Sequence, residues 1–189
     1  MANLSNLSQA ADEFGIRLAA VTPDDWDKAT PCEGWTVRDL VNHAIAGNLM
    51  SAILLAGGTK DDASAAIDGD HLTADPVEAY TASVAAQGSG FAQDGAMERV
   101  VHHPAMDMPG EQMFGFRVVD LAVHAWDLAR AIGATETLSD EVAQASWDVV
   151  SPLAPFIGQL GLFGEGPSGS VGDDAPLTDR VLDMVGRRP

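Results

Sequence analysis

Basic side chains are scarce in this chain: 10 Lys+Arg stand against 28 Asp+Glu in 189 residues, a formal net charge of −18. Nucleic-acid binding needs clustered cations that neutralise phosphates. The sequence has no basic run, and Arg187 with Arg188 is too short to make one. Anionic membrane surfaces are disfavoured on the same ground. The excess of acid reads as a solubility feature. Cysteine is nearly absent as well. Cys32 stands alone, so no internal disulfide can form, which fits a cytoplasmic location. The first six residues have neither the basic nor the apolar region of a signal peptide. Long apolar runs are missing too: the longest, 44–58, is interrupted by Asn48 and Ser51 and is too short to span a bilayer. No Gly-rich phosphate loop, Gly-x-Ser-x-Gly elbow or His-Glu-x-x-His pair occurs.

What the chain does have is apolar periodicity. With 46% hydrophobic residues, it can build a real core. Leu7, Ala10, Ala11, Phe14, Leu18 and Val21 recur at three- and four-residue steps, which predicts an amphipathic helix over 4–21. Thr22-Pro23-Asp24-Asp25 suits a short helical turn, and 27–34 reads as loop. Thr36-Val37-Arg38-Asp39 has the form of a capping box and opens a helix to about residue 55. That helix is apolar almost all round and belongs in the middle of a bundle. The acidic stretch 59–74 reads as loop. Asp75-Pro76-Val77-Glu78 starts a helix to about residue 91. Residues 98–102 form the one strand candidate, and 104–110 a turn. A long helix covers 111–132, stopped by Gly133, and Ser139-Asp140-Glu141 caps another to about residue 150. Pro152 and Pro155 end it. Residues 160–176 read as loop and 177–185 as a short helix. Five helices with hardly any strand predict an all-α antiparallel bundle in a single domain over 1–189, its core spanning about 4–158.

Chemistry concentrates in Val119-Asp120-Leu121-Ala122-Val123-His124-Ala125-Trp126-Asp127. Residues four apart share a helix face, within roughly 6 Å at Cβ, so Asp120 and His124 point the same way and both can reach one cation. The flanking residues are apolar, and an unpaired buried carboxylate costs several kcal/mol. A metal would compensate Asp120. Asp127 continues the stripe three residues on. His43 lies about a turn into the most apolar helix, with Gly47 one turn further, where it leaves room for a ligand or a close backbone. Asp39 and His43 repeat the same four-residue spacing, but the capping box accounts for Asp39. His71, His102 and His103 read as surface residues. Cys32, just before the His43 helix, reads as a small apolar filler, with a fourth-ligand or reactive-thiol role as the alternatives. Trp35 and Trp126 read as core or pocket wall.

The segments Thr30-Pro31-Cys32-Glu33-Gly34-Trp35-Thr36-Val37-Arg38-Asp39-Leu40-Val41-Asn42-His43 and Asp120-Leu121-Ala122-Val123-His124-Ala125-Trp126-Asp127-Leu128-Ala129 resemble the mycothiol-dependent maleylpyruvate isomerase N-terminal family, within the DinB-like superfamily. The ending from Ala175 to Arg187 is similar to that group's close. The resemblance implies a four-helix bundle of up-down-down-up order with extra C-terminal helices. It also implies a divalent metal at one end, held by His43, Asp120 and His124. Two departures stand out. The isomerase pattern has Glu where this chain has Asp120, and the isomerase carries an additional C-terminal α/β domain.

Three protein ligands leave an open position, as in catalytic rather than structural zinc. An open Zn²⁺ favours a deprotonated thiol, and Asp127 could orient His124 through its second nitrogen. Two His and one carboxylate also suit Fe²⁺, and Ni²⁺ fits the same donors. The expected function is a metal-dependent transferase or isomerase that uses a low-molecular-weight thiol such as mycothiol on a small-molecule substrate. The competing reading is a metal- or small-molecule-binding regulatory module without turnover. A homodimer is compatible with either.

Overall fold

The computed structural model describes residues 3–159 and 163–189. Residues 1–2 of the N-terminal stretch read above, and 160–162 of the expected loop, lie outside the described residues. Four helices form the bundle: α1 (Leu4–Leu18), α2 (Val37–Leu55), α4 (Pro76–Phe91) and α5 (Gly110–Ile132). Between them lie α3 (Lys60–Ile67) and a hairpin of β1 (Val100–His102) and β2 (Asp107–Pro109). Beyond them lie α6 (Asp140–Val150), two 3₁₀ turns and α7 (Leu177–Met184).

Side-chain pairings fix the directions. Arg17, near the end of α1, donates to the carbonyls of Thr135 and Thr137, just past the end of α5, so these two helices run in parallel. Asn48 in mid-α2 donates to Ser83 in mid-α4, and Leu55 at the end of α2 lies against Gly90 near the end of α4, which makes a second parallel pair. Tyr80, early in α4, donates to the Ala11 carbonyl in mid-α1 and lies against Gly15 in the last turn of α1. These two pairs therefore run opposite ways, the up-down-down-up order. A parallel neighbour needs a long return, and α3 sits in that crossover against α2. Asn42 of α2 holds the segment just past its end, donating to the Gly69 carbonyl and accepting from the His71 backbone N–H.

The helix starts follow from their caps. Thr36 accepts from the Asp39 N–H while Asp39 accepts from the Thr36 N–H, and Asp75 and Ser139 cap α4 and α6. Three expectations are corrected here. The stretch 59–74 contains a helix, because Thr59 and Asp62 build a second complete capping box and Ala63 and Ala66 bury against the core. The turn expected at 104–110 contains β2, paired antiparallel with β1 through Val101 and Met108. Helix α1 also ends earlier than expected, at Leu18.

The main core holds Leu40, Leu54, Leu121 and Leu128, each worth roughly 1.5–3 kcal/mol on burial. A second cluster covers the outer face of α5: Val119, Val123 and Trp126 pack against Val150, Ile157, Leu182 and Val185. This second layer matters for the site, because α7 delivers residues 185–188 to the end of the bundle where α2 begins. Among the described residues no helix is long and apolar enough to cross a membrane.

Candidate metal centre

α2 and α5 run antiparallel, so the first turns of α2 face the later half of α5. His43 thereby meets Asp120 and His124. His43 Nε2 is 3.3 Å from Asp120 Oδ1, and His124 Nε2 is 3.4 Å from the same oxygen. One ligand atom from each of His43, Asp120 and His124 falls within 4.8 Å of the others. Two imidazole nitrogens and a carboxylate oxygen so close together, from different helices, are a donor set suited to one divalent cation.

The other polar atoms of Asp120 and His124 are tied back to protein. Asp120 Oδ2 accepts from Arg117 Nη1 at 2.6 Å. Arg117 is itself buried, with Nε donating to Gln87 and Nη2 to Asn48. His124 Nδ1 lies 2.9 Å from Asp127 Oδ2, so a neutral ring with its proton on Nδ1 keeps Nε2 free as a donor to metal. Asp127 is fully buried and accepts from Arg187 on both oxygens, at 3.1 and 2.7 Å.

The loop 30–35 closes over this cluster. An isolated bridge between Ala29 and Thr36 pinches its base, and the Thr30 hydroxyl donates to the Trp35 carbonyl. Gly34 turns the chain with φ 78°, a left-handed conformation that suits glycine. Trp35 then lies against both imidazoles, 4.8 Å from His43 and 5.9 Å from His124 between centroids. Trp35 and Trp126 both line the cavity above the set, as expected of pocket walls. That cavity is about 850 Å³ and is also bordered by Arg130, Arg187 and Arg188.

Burial opposes charge on His124, but the adjacent Asp120, with hydrogen bonds to Asp127 and Cys32, outweighs it and holds the imidazolium well above its usual pKa. Burial likewise opposes ionisation of Asp120, yet Arg117, His124 and His43 hold it well below the usual carboxylate range. Asp127 follows the same pattern: burial raises it, while His124 and Arg187 pull it down to about 2.

Four sequence-based expectations change. The charge of Asp120 is compensated by Arg117, so that compensation does not by itself require a metal. The space beside Gly47 is filled by the Arg117 guanidinium, which a Cβ at that position would strike. Cys32 packs on the core but is not merely a filler: its Sγ donates to Asp127 and accepts from Arg187, both at 3.2 Å. It groups with His124 and Asp127 rather than with His43 and Asp120, so it faces the far nitrogen of His124. His103 is half-buried and lines a chamber beside His43 instead of standing on the surface. His102 is exposed and pairs with Asp107, and His71 donates to the Ala66 carbonyl. Arg117 and Arg187 were missed in the sequence. The glycine one turn beyond His43 was the available signal for Arg117. Nothing local marks Arg187.

Residues 7–129 match the family model described as the mycothiol maleylpyruvate isomerase N-terminal domain. An uncharacterized protein of Mycobacterium tuberculosis, found in two strains, is 32% identical over 185 residues, 95% of this chain and 94% of the relative. Among solved structures, the mycothiol-dependent maleylpyruvate isomerase superposes with a TM-score of 0.61 at 15% identity, over 82% of this chain and 70% of that one. A histidine-to-alanine variant of the same enzyme gives 0.62 at 18% identity, with the same coverage. These structures show a shared fold. The match over more than half of the sequence, within a helical bundle that carries the paired motifs, makes this chain a member of the mycothiol maleylpyruvate isomerase N-terminal domain family.

Proposed function

We propose that this protein is a metal-dependent transferase or isomerase using a low-molecular-weight thiol, with the metal held by His43, Asp120 and His124. The observation that carries the reading is the three-atom donor set in which every spare heteroatom of Asp120 and His124 is already hydrogen-bonded to protein. Such support keeps ligands in place for a metal rather than for each other. Zinc is the metal the donors favour, with Fe²⁺ and Ni²⁺ as alternatives. A divalent ion bound there supplies Lewis acidity that lowers the pKa of a thiol.

The chain's own residues do the rest. Arg117 and Arg187 neutralise Asp120 and Asp127, so the charge of a bound cation is left for an anionic ligand such as a sulfur. The larger cavity suits a bulky polar thiol, and mycothiol, named in the related isomerase, is the candidate. Three of the chain's ten basic residues border this cavity despite a net charge of −18, which favours an anion there. Trp35 covers both imidazoles and limits water around them. In a thiol addition, the sulfur–carbon bond forms as the acceptor's π bond opens, and the thiol proton ends on the acceptor. In an isomerisation the same bond breaks again and the thiol is returned.

One observation favours a binding module without turnover. Both carboxylates of the cluster are paired with arginine, so neither stands free as a general base. Incubating zinc-loaded protein with a thiol and a panel of electrophiles, followed by mass spectrometry, separates the two. Metal-dependent adducts or isomerised products support the enzyme. Their absence across the panel supports the binding module.

A further inference from the structure

The donor set is a partition between two spaces. His43 and Asp120 border the large cavity on one side and a smaller chamber of about 250 Å³ on the other. Phe163 also borders both, with its ring edge-on to Phe116 at 5.9 Å. The two spaces differ in chemistry. Arginines, backbone and indole rings line the large one, whereas Met50, Ile67, Met113 and Phe116 give the small one an apolar wall.

Two basic groups on the small chamber are unavailable to an anion: burial holds His103 toward its neutral form, and Arg117 is already paired. Arg117 is the one arginine or lysine on its described lining, and each of its three nitrogens holds an acceptor: Gln87, Asp120 and Asn48. Asp120 itself presents negative charge. A carboxylate entering the metal-free chamber would lose its hydration, meet Asp120 and find the Arg117 guanidinium already paired. A cavity of roughly 150 Å³ accommodates one benzene ring, so this chamber holds a ring with a small substituent.

We infer that the small chamber is the acceptor subsite, and that it selects a neutral, apolar molecule of about one ring over a dicarboxylate of the kind in the isomerase's name. The word acceptor rests on the thiol chemistry proposed above; the selectivity for an uncharged ligand rests on the chamber alone. Placement beside His43 and Asp120, across from the thiol cavity, would bring the two reactants to one wall from opposite sides.

The test uses two probes that share a ring and differ in charge: 4′-fluoroacetophenone and 4-fluorobenzoate. Each is titrated by ¹⁹F NMR into metal-free and zinc-loaded protein. Methyl signals of the seven methionines, ¹³C-labelled, locate the binding. The neutral probe should bind in both forms and shift the Met50 and Met113 methyls, with benzoate at least about tenfold weaker in the metal-free form. Ile67→Trp, at a partly exposed position, should fill the chamber and weaken the neutral probe by about tenfold while leaving the unfolding temperature close to wild type. Benzoate binding as tightly to the metal-free protein, or an unshifted Met50 and Met113 pair, overturns the inference. Metal content is read separately, so loss of the metal reading with retained probe binding is distinguishable from failure of the subsite.

Discussion

His124 has a carboxylate and an arginine on each side of its ring, and the two sides have different jobs. On the Nε2 side, Asp120 gives one oxygen to Arg117 and leaves Oδ1 facing two imidazoles. On the Nδ1 side, Asp127 has both oxygens occupied, by Arg187, His124 and Cys32. The residue types are the same and the helix is the same. On the reading proposed above, what separates a ligand from a support is saturation: Asp120 has acceptor capacity to spare beside a cavity, and Asp127 uses its own inside the protein.

The largest effect on folding is expected from removing the clamp on the unsaturated side. Arg117→Met leaves Asp120, Asn48 and Gln87 without their shared partner and should cost about 3 kcal/mol in chemical denaturation. A loss below about 1 kcal/mol would mean that Asp120 is solvated rather than clamped.

On the saturated side the effect should fall on metal affinity. Asp127→Asn removes the charge that orients His124 and should weaken zinc binding about 10- to 100-fold while one ion still binds at saturation. Isothermal titration measures both. Complete loss of binding would make Asp127 a ligand and erase the contrast.

Acidity separates the two states of His124. Its raised pKa in the metal-free protein means that its contribution to stability is fully present below the ordinary imidazole range. That contribution is lost as pH rises through the higher folded value. Asp127 works in the opposite direction, its contribution fading as pH falls from 3.8 toward about 2. Metal binding should release about one proton per ion and strengthen with rising pH, because the imidazolium must deprotonate. Urea midpoints of the metal-free protein and proton release in buffers of different ionisation enthalpy check the two trends. The smallest effect is expected from Cys32→Ser, under about threefold in zinc affinity, since its sulfur touches only the supporting side.

The sequence was most legible where one local pattern decides the outcome. Caps at Thr36, Asp75 and Ser139 and the glycine after Ile132 placed four helices, and the Asp120–His124 spacing on α5 survived intact. The same logic would have found α3, since Thr59 and Asp62 repeat the box at Thr36 and Asp39; the acidic, glycine-containing composition of 59–74 obscured it. The arginines were harder. Arg117 on a helix reads as a solvated residue, and its burial depends on α2 and α4 packing around it. Arg187 acts across sixty residues of sequence on Asp127, a contact that exists only because α7 docks on the outer face of α5.

The central claim is that one divalent ion is held by His43, Asp120 and His124. Metal content of purified single variants, by mass spectrometry after zinc loading, tests it most directly. The account predicts about one zinc per chain in wild type and in His102→Ala, and under about a tenth of that in His43→Ala, Asp120→Ala and His124→Ala. Zinc retained by Asp120→Ala and lost from His102→Ala would contradict it.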